Sequence, residues 1–130
     1  MKKSIMVWSM MACASLLIIC GCDQHKYPWG KDTVALFGDG RFQVGRIYDD
    51  HKEIHDLYDI EKQMTIIYEV YSFQQDGNMV YAYGRTENDK YYVSLNYVTG
   101  EYSKYTSIEQ APAEIRSHLS QLSTNPTLPH

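Results

Sequence analysis

Lys90-Tyr91-Tyr92-Val93-Ser94-Leu95-Asn96-Tyr97-Val98 decides the fold class. Tyr91, Val93, Leu95 and Tyr97 fall on one side and Lys90, Ser94 and Asn96 on the other, the two-residue period of a half-buried strand. Thr99-Gly100 reads as a tight turn, with a last strand over 101–106. On the N-terminal side, Glu87-Asn88-Asp89 turns the chain after a strand over 79–85. That strand sets small Val80, Ala82 and Gly84 on one face and Met79, Tyr81 and Tyr83 on the other.

The pattern continues outward. Asp76-Gly77 is a hairpin signal. Residues 64–73 form the strongest strand, with Met64, Ile66, Tyr68 and Val70 on one face and Ile67, Tyr71 and Phe73 on the other. Apolar residues on both faces predict a central strand covered on each side. Further strands are expected over 33–37, 41–48 and, less cleanly alternating, 54–60. Gly38-Asp39-Gly40 and the polar run 49–53 are the intervening turns. The one helix is expected over 113–122: Pro112 suits its first turn, and Ile115, Leu119 and Leu122 make an apolar stripe that should dock on an open sheet face.

The expected fold class is therefore α+β and mostly β. Short turns between successive strands predict an antiparallel meander of about six to seven strands with one C-terminal helix. A small closed β-barrel is the alternative. One β-rich domain spans 33–122, and the polar, proline-bearing residues 123–130 are expected to be a disordered tail.

The N-terminus carries a different signal. Lys2 and Lys3 precede an apolar run from Met6 to Ile19, shorter than the roughly 20 residues of a spanning helix. Ile19-Cys20-Gly21-Cys22 closes it. This segment resembles the lipobox signal of small bacterial lipoproteins. The resemblance covers the first two dozen residues and implies removal of 1–21 and acylation of Cys22; small Gly21 before Cys22 favours that register over Cys20. It also implies attachment to a membrane, facing the periplasm or the cell exterior. In a cell with two membranes, Asp23 resembles the sorting signal that retains a lipoprotein in the inner membrane. Residues 22–32 then form the lipidated N-terminus and a polar tether, in which Tyr27 and Trp29 either rest at the lipid interface or cover a core edge.

Composition excludes several functions. The chain has 12 basic and 16 acidic residues; loss of Lys2 and Lys3 leaves 10 against 16, about −6 net. Such a balance argues against nucleic acid and suits either simple solubility or a basic protein partner. Cleavage removes Cys13 and Cys20, and acylation consumes Cys22, so the mature domain would hold no thiol for a disulfide, a metal or nucleophilic catalysis. No Gly-x-Ser-x-Gly elbow and no Ser-x-x-Lys pair occurs. No catalytic residue and no cofactor is assigned.

Two clusters remain. His51, Glu53, His55 and Asp56 are the candidate metal or catalytic set. His51 and His55 would share a helix face, but no helix is expected there, and a solvated charged loop is the simpler reading. The 12 tyrosines all lie between Tyr27 and Tyr105 and mostly suit strand positions, while Tyr81, Tyr83, Tyr92 and Tyr102 are the candidate binding surface. The expected function is a membrane-anchored, non-enzymatic protein-binding or accessory module of the cell envelope, of immunity or inhibitor type among others. The alternatives are a small metal-dependent or hydrolytic enzyme using the His51/His55 region and a ligand-binding barrel.

Overall fold

The computed structural model describes residues 26–124 and 128. Cys22, Asp23 and the signal segment 1–21 lie outside the described residues, as do 125–127 and 129–130. Among the described residues eight strands follow one another: β1 Thr33–Phe37, β2 Phe42–Asp49, β3 Lys52–Asp59, β4 Met64–Ile67, β5 Glu69–Asp76, β6 Met79–Thr86, β7 Asp89–Asn96 and β8 Tyr102–Tyr105. Every pairing is antiparallel between sequence neighbours, as the short turns require.

The fold is mostly β with one C-terminal helix, but the strands do not form the single meander sheet expected. They divide into two four-stranded sheets, β1-β2-β3-β4 and β5-β6-β7-β8, and do not close into a barrel. The division falls inside the stretch 64–73. Tyr68 breaks it, so β4 and β5 are edge strands of different sheets rather than one central strand. Ile66 and Ile67, consecutive in sequence, are both buried because the chain turns a corner between the sheets. The apolar character of both faces thus comes from the corner.

Gly84 makes that corner fit. A β-carbon there would overlap the Glu69 carbonyl oxygen and lie 2.7 Å from Ile67 Cγ2. Opposite it, the β5–β6 register shifts between Val70 and Ser72, a bulge that bends the strand away. The Tyr68 amide donates to Thr86 Oγ1 at 3.3 Å, and its hydroxyl donates to Asp49 Oδ2 at 2.6 Å.

One core lies between the sheets. Phe37, Phe42, Val44, Leu57, Ile66 and Ile67 meet Val70, Val80, Ala82, Tyr91, Val93 and Leu95. The alternation read from 79–85 and 90–98 is therefore correct for the core-facing side. The other side of β7 is also covered, however: Tyr92 and Ser94 are buried. The helix covers this face. After 3-10 turns at Ile108–Gln110 and Ala113–Ile115, α1 runs over Arg116–Thr124, later than the expected 113–122. Leu119 and Leu122 pack with Tyr81, Tyr92 and Ala111, and Ile115 joins them, so the expected stripe does dock on a sheet face. Ser72 Oγ donates to the Leu122 carbonyl at 2.6 Å, tying the last turn of the helix to β5.

Both ends of the domain are tied down further than expected. The Tyr27 amide donates to the Asp39 carbonyl at 3.0 Å, and the Arg46 amide donates to the Asp32 carbonyl at 2.7 Å. Gly40, at φ 90°, lies so close that a β-carbon would overlap the Tyr27 carbonyl oxygen. At the other end, the Leu128 amide donates to the Tyr71 carbonyl at 3.1 Å and its side chain packs against the core.

Candidate anion-binding recess

Strand register places three cations at one end of the sandwich. On β5, β6 and β7, Glu69 stands opposite Arg85 and Arg85 opposite Lys90. Lys52, at the start of β3, reaches the same spot from the other sheet. Glu69 is buried and sits between them, accepting from Arg85 Nε at 2.5 Å and meeting Lys52 Nζ at 3.5 Å. These side chains, with Tyr71, Tyr83 and Ser123 of the last turn of α1, line a depression of about 450 Å³. Three cations against one carboxylate leave a local excess of positive charge.

The walls are aromatic. Tyr83 stacks on Tyr92 with ring centroids 4.7 Å apart, and Tyr71 meets Tyr83 edge-on at 5.6 Å. Lys90 Nζ stands 6.0 Å from the Tyr71 ring centre, within cation–π reach. Burial pushes the Tyr71 and Tyr83 hydroxyls up from their ordinary range, helped by Glu69 at Tyr71 and by Tyr92 at Tyr83, so both remain protonated at neutral pH. Burial alone would raise the Glu69 carboxyl; the Arg85 hydrogen bond and charge, with Lys52, outweigh it and hold Glu69 below its usual range. Glu69 is therefore a fixed anion, and the site can accept one further anionic group.

The sequence-selected residues fall elsewhere. His51 lies exposed in the β2–β3 turn at φ 65°. The Glu53 carboxylate pairs with Arg46 Nε at 2.5 Å. His55 is buried beside Leu57's core-facing row, and its Nδ1 has no hydrogen-bond partner among the described residues; burial lowers its pKa. Asp56 leaves β3 on the opposite face, near Gly45, where burial pushes its carboxyl up to about 6 against backbone hydrogen bonds from itself and Gly45. Strand alternation thus sends His55 and Asp56 apart, and the four residues do not converge. Among the described residues no group of three or more His, Cys, Asp or Glu is placed to hold a metal.

The four-tyrosine surface needs correction too. Tyr81 and Tyr92 are covered by α1, and Tyr81 stacks on His118 at 4.6 Å. Tyr102 pairs with Leu95 and packs against the core between the sheets, on the far side of sheet two from Tyr83. Of the four, Tyr83 alone lines the recess. The cations were missed because each comes from a different strand. One signal was present: Glu69 is the single charged residue within 64–73.

No family model, no curated protein and no solved structure matches this chain. The ligand-binding barrel has no support in two open sheets around a filled core.

Proposed function

We propose that this chain is a lipid-anchored, non-enzymatic protein-binding module of the bacterial cell envelope, held by Cys22 and facing the periplasm or the cell exterior. The anchor reading rests on Lys2-Lys3, the apolar run and Ile19-Cys20-Gly21-Cys22. Asp23 favours the inner membrane where there are two. The binding reading rests on the recess, and on one observation above all: Arg85 and Lys90 stand directly opposite each other. Like charges in that relation destabilise a sheet, and a ligand anion offsets the repulsion.

The overall negative charge suits a partner that is basic at long range, as the sequence suggested. The recess reverses the sign locally. The group that enters it is an acidic side chain of the partner, seated between Lys90 and Arg85 with the tyrosine rings as walls.

The test is an NMR titration of the mature, isotope-labelled protein with a glutamate-rich peptide and, separately, a lysine-rich one. Shifts confined to Tyr83, Arg85 and Lys90, seen with the acidic peptide and lost with Lys90→Gln, support the reading. Shifts at these residues with neither peptide, or equally with both, reject it.

A further inference from the structure

We infer that the end of the domain formed by Tyr27, Trp29 and the β7–β8 turn lies on the lipid bilayer, with Trp29 at headgroup level, so that the recess points away from the membrane. The inference rests on the lipid-anchor reading above and adds to it an orientation and a contact surface.

Strand direction divides the domain into two ends. The Gly38–Gly40 turn, the Asp76–Met79 turn and the Tyr97–Gly100 turn lie at one end; the Asp49–Lys52 and Thr86–Asp89 turns lie at the other. A β-carbon on Gly38 would fall 2.8 Å from Tyr97 Cδ2, so the first and last of the near turns touch. Tyr27 is fixed to this end by its bond to Asp39 and its close approach to Gly40. The recess lies at the opposite end, six residues up β6 from Met79, roughly 20 Å away at strand rise.

The link to the anchor is short. Only Asp23, Gln24, His25 and Lys26 separate Cys22 from Tyr27. Even fully extended, five backbone steps span at most about 18 Å. The end that carries Tyr27 therefore cannot stand far from the acyl chains, whatever path those residues take.

The surface at that end has interfacial chemistry. Trp29 is 60% exposed and Val98 is 66% exposed. Lys26 is exposed beside Tyr27, while Lys31 adjoins Asp32, whose carbonyl is held by the Arg46 amide partway along β2. Trp and Tyr rings favour the headgroup layer, and this preference carries the contact, because exposed Asp39, Glu61, Asp76 and Glu101 leave this end without a net positive face. The other exposed aromatics, Tyr48 and Tyr68, lie at the recess end, and the Tyr68 hydroxyl is held by Asp49.

The chain supplies its own probe. Of two tryptophans, Trp8 leaves with the signal, so Trp29 is the sole indole of the mature protein. The full lipidated protein is reconstituted in vesicles of phosphatidylethanolamine and phosphatidylglycerol. Its fluorescence is measured with lipids brominated near the headgroup and with aqueous acrylamide, and its intact mass is recorded. The expected result is an acylated mass, a shift of emission to shorter wavelength, loss of most emission to brominated lipid and protection from acrylamide. Acylated protein whose Trp29 stays open to acrylamide and indifferent to brominated lipid overturns the orientation and leaves the anchor standing. Protection from acrylamide without quenching by brominated lipid assigns the surface to a protein contact and also overturns it. A mature chain without acyl groups refutes the anchor reading itself.

Discussion

Arg85 and Lys90 face each other across the β6–β7 ladder, two cations in direct register, with Glu69 the one carboxylate paired to Arg85 among the described residues. Replacing Lys90 by Gln removes repulsion and a long cation–π contact with Tyr71, but no ion pair among the described residues. Urea unfolding should show Lys90→Gln equal to or more stable than the parent, by about 0.2–1 kcal/mol, while acidic-peptide binding falls. A clear loss of stability would mean that Lys90 serves the fold rather than a ligand.

Glu69 carries the reverse expectation. Glu69→Gln leaves Arg85 and Lys52 without their buried anionic partner and should cost about 1–3 kcal/mol, toward the low end because Arg85 and Lys52 are half-exposed and the amide oxygen can still accept. The pH profile identifies the cause. Glu69 titrates below its usual range in the fold, so its contribution is complete above the ordinary glutamate pKa and disappears as pH falls through the lower folded value. Chemical unfolding measured from neutral to acid pH should be less acid-sensitive in Glu69→Gln than in the parent.

Asp56 acts with the opposite sign. Its carboxyl is pushed up to about 6 by burial, so the folded state holds a proton that the unfolded chain has already released. Its contribution is greatest below the ordinary aspartate pKa and declines as pH rises toward 6, by up to about 3 kcal/mol. Asp56→Asn should lack this component, so its stability relative to the parent should rise over that interval. Stability curves of the two proteins that run parallel between pH 4 and 6 would exclude a buried neutral carboxyl.

Gly84 and Gly77 separate steric fit from backbone freedom. Gly84→Ala drives a methyl group into the Glu69 carbonyl at the sheet corner and should cost about 3 kcal/mol or more. Gly77 has φ 58° and open space around it, so Gly77→Ala should cost only about 1 kcal/mol. Equal costs in parallel thermal melts would mean that the corner relaxes.

The strands were legible because alternation is local: Tyr91, Val93 and Leu95 needed only one another to declare a face. The helix stripe of Ile115, Leu119 and Leu122 was legible for the same reason. Its first turn lies later than Pro112 suggests, because Pro112 starts a 3-10 turn and α1 begins only at Arg116. The break at Tyr68 was not legible. It depends on Gly84, on the next strand, being too small to obstruct Glu69. The His51–Asp56 cluster attracted notice because its residues adjoin in sequence, yet on a strand adjacency means opposite faces. Lys52, Glu69, Arg85 and Lys90 adjoin only in space, through two hairpins and a corner, and no local pattern announces them.

The attachment of Tyr27 to the Gly38–Gly40 turn also sets how this domain bears a load. Tension applied at the N-terminus meets the Tyr27–Asp39 bond first and the Asp32–Arg46 bond second, before it reaches β1, an edge strand of five residues. Under force the domain should open like a zipper from β1, one small latch at a time, while the sheet that carries Arg85 and Lys90 is the last to give.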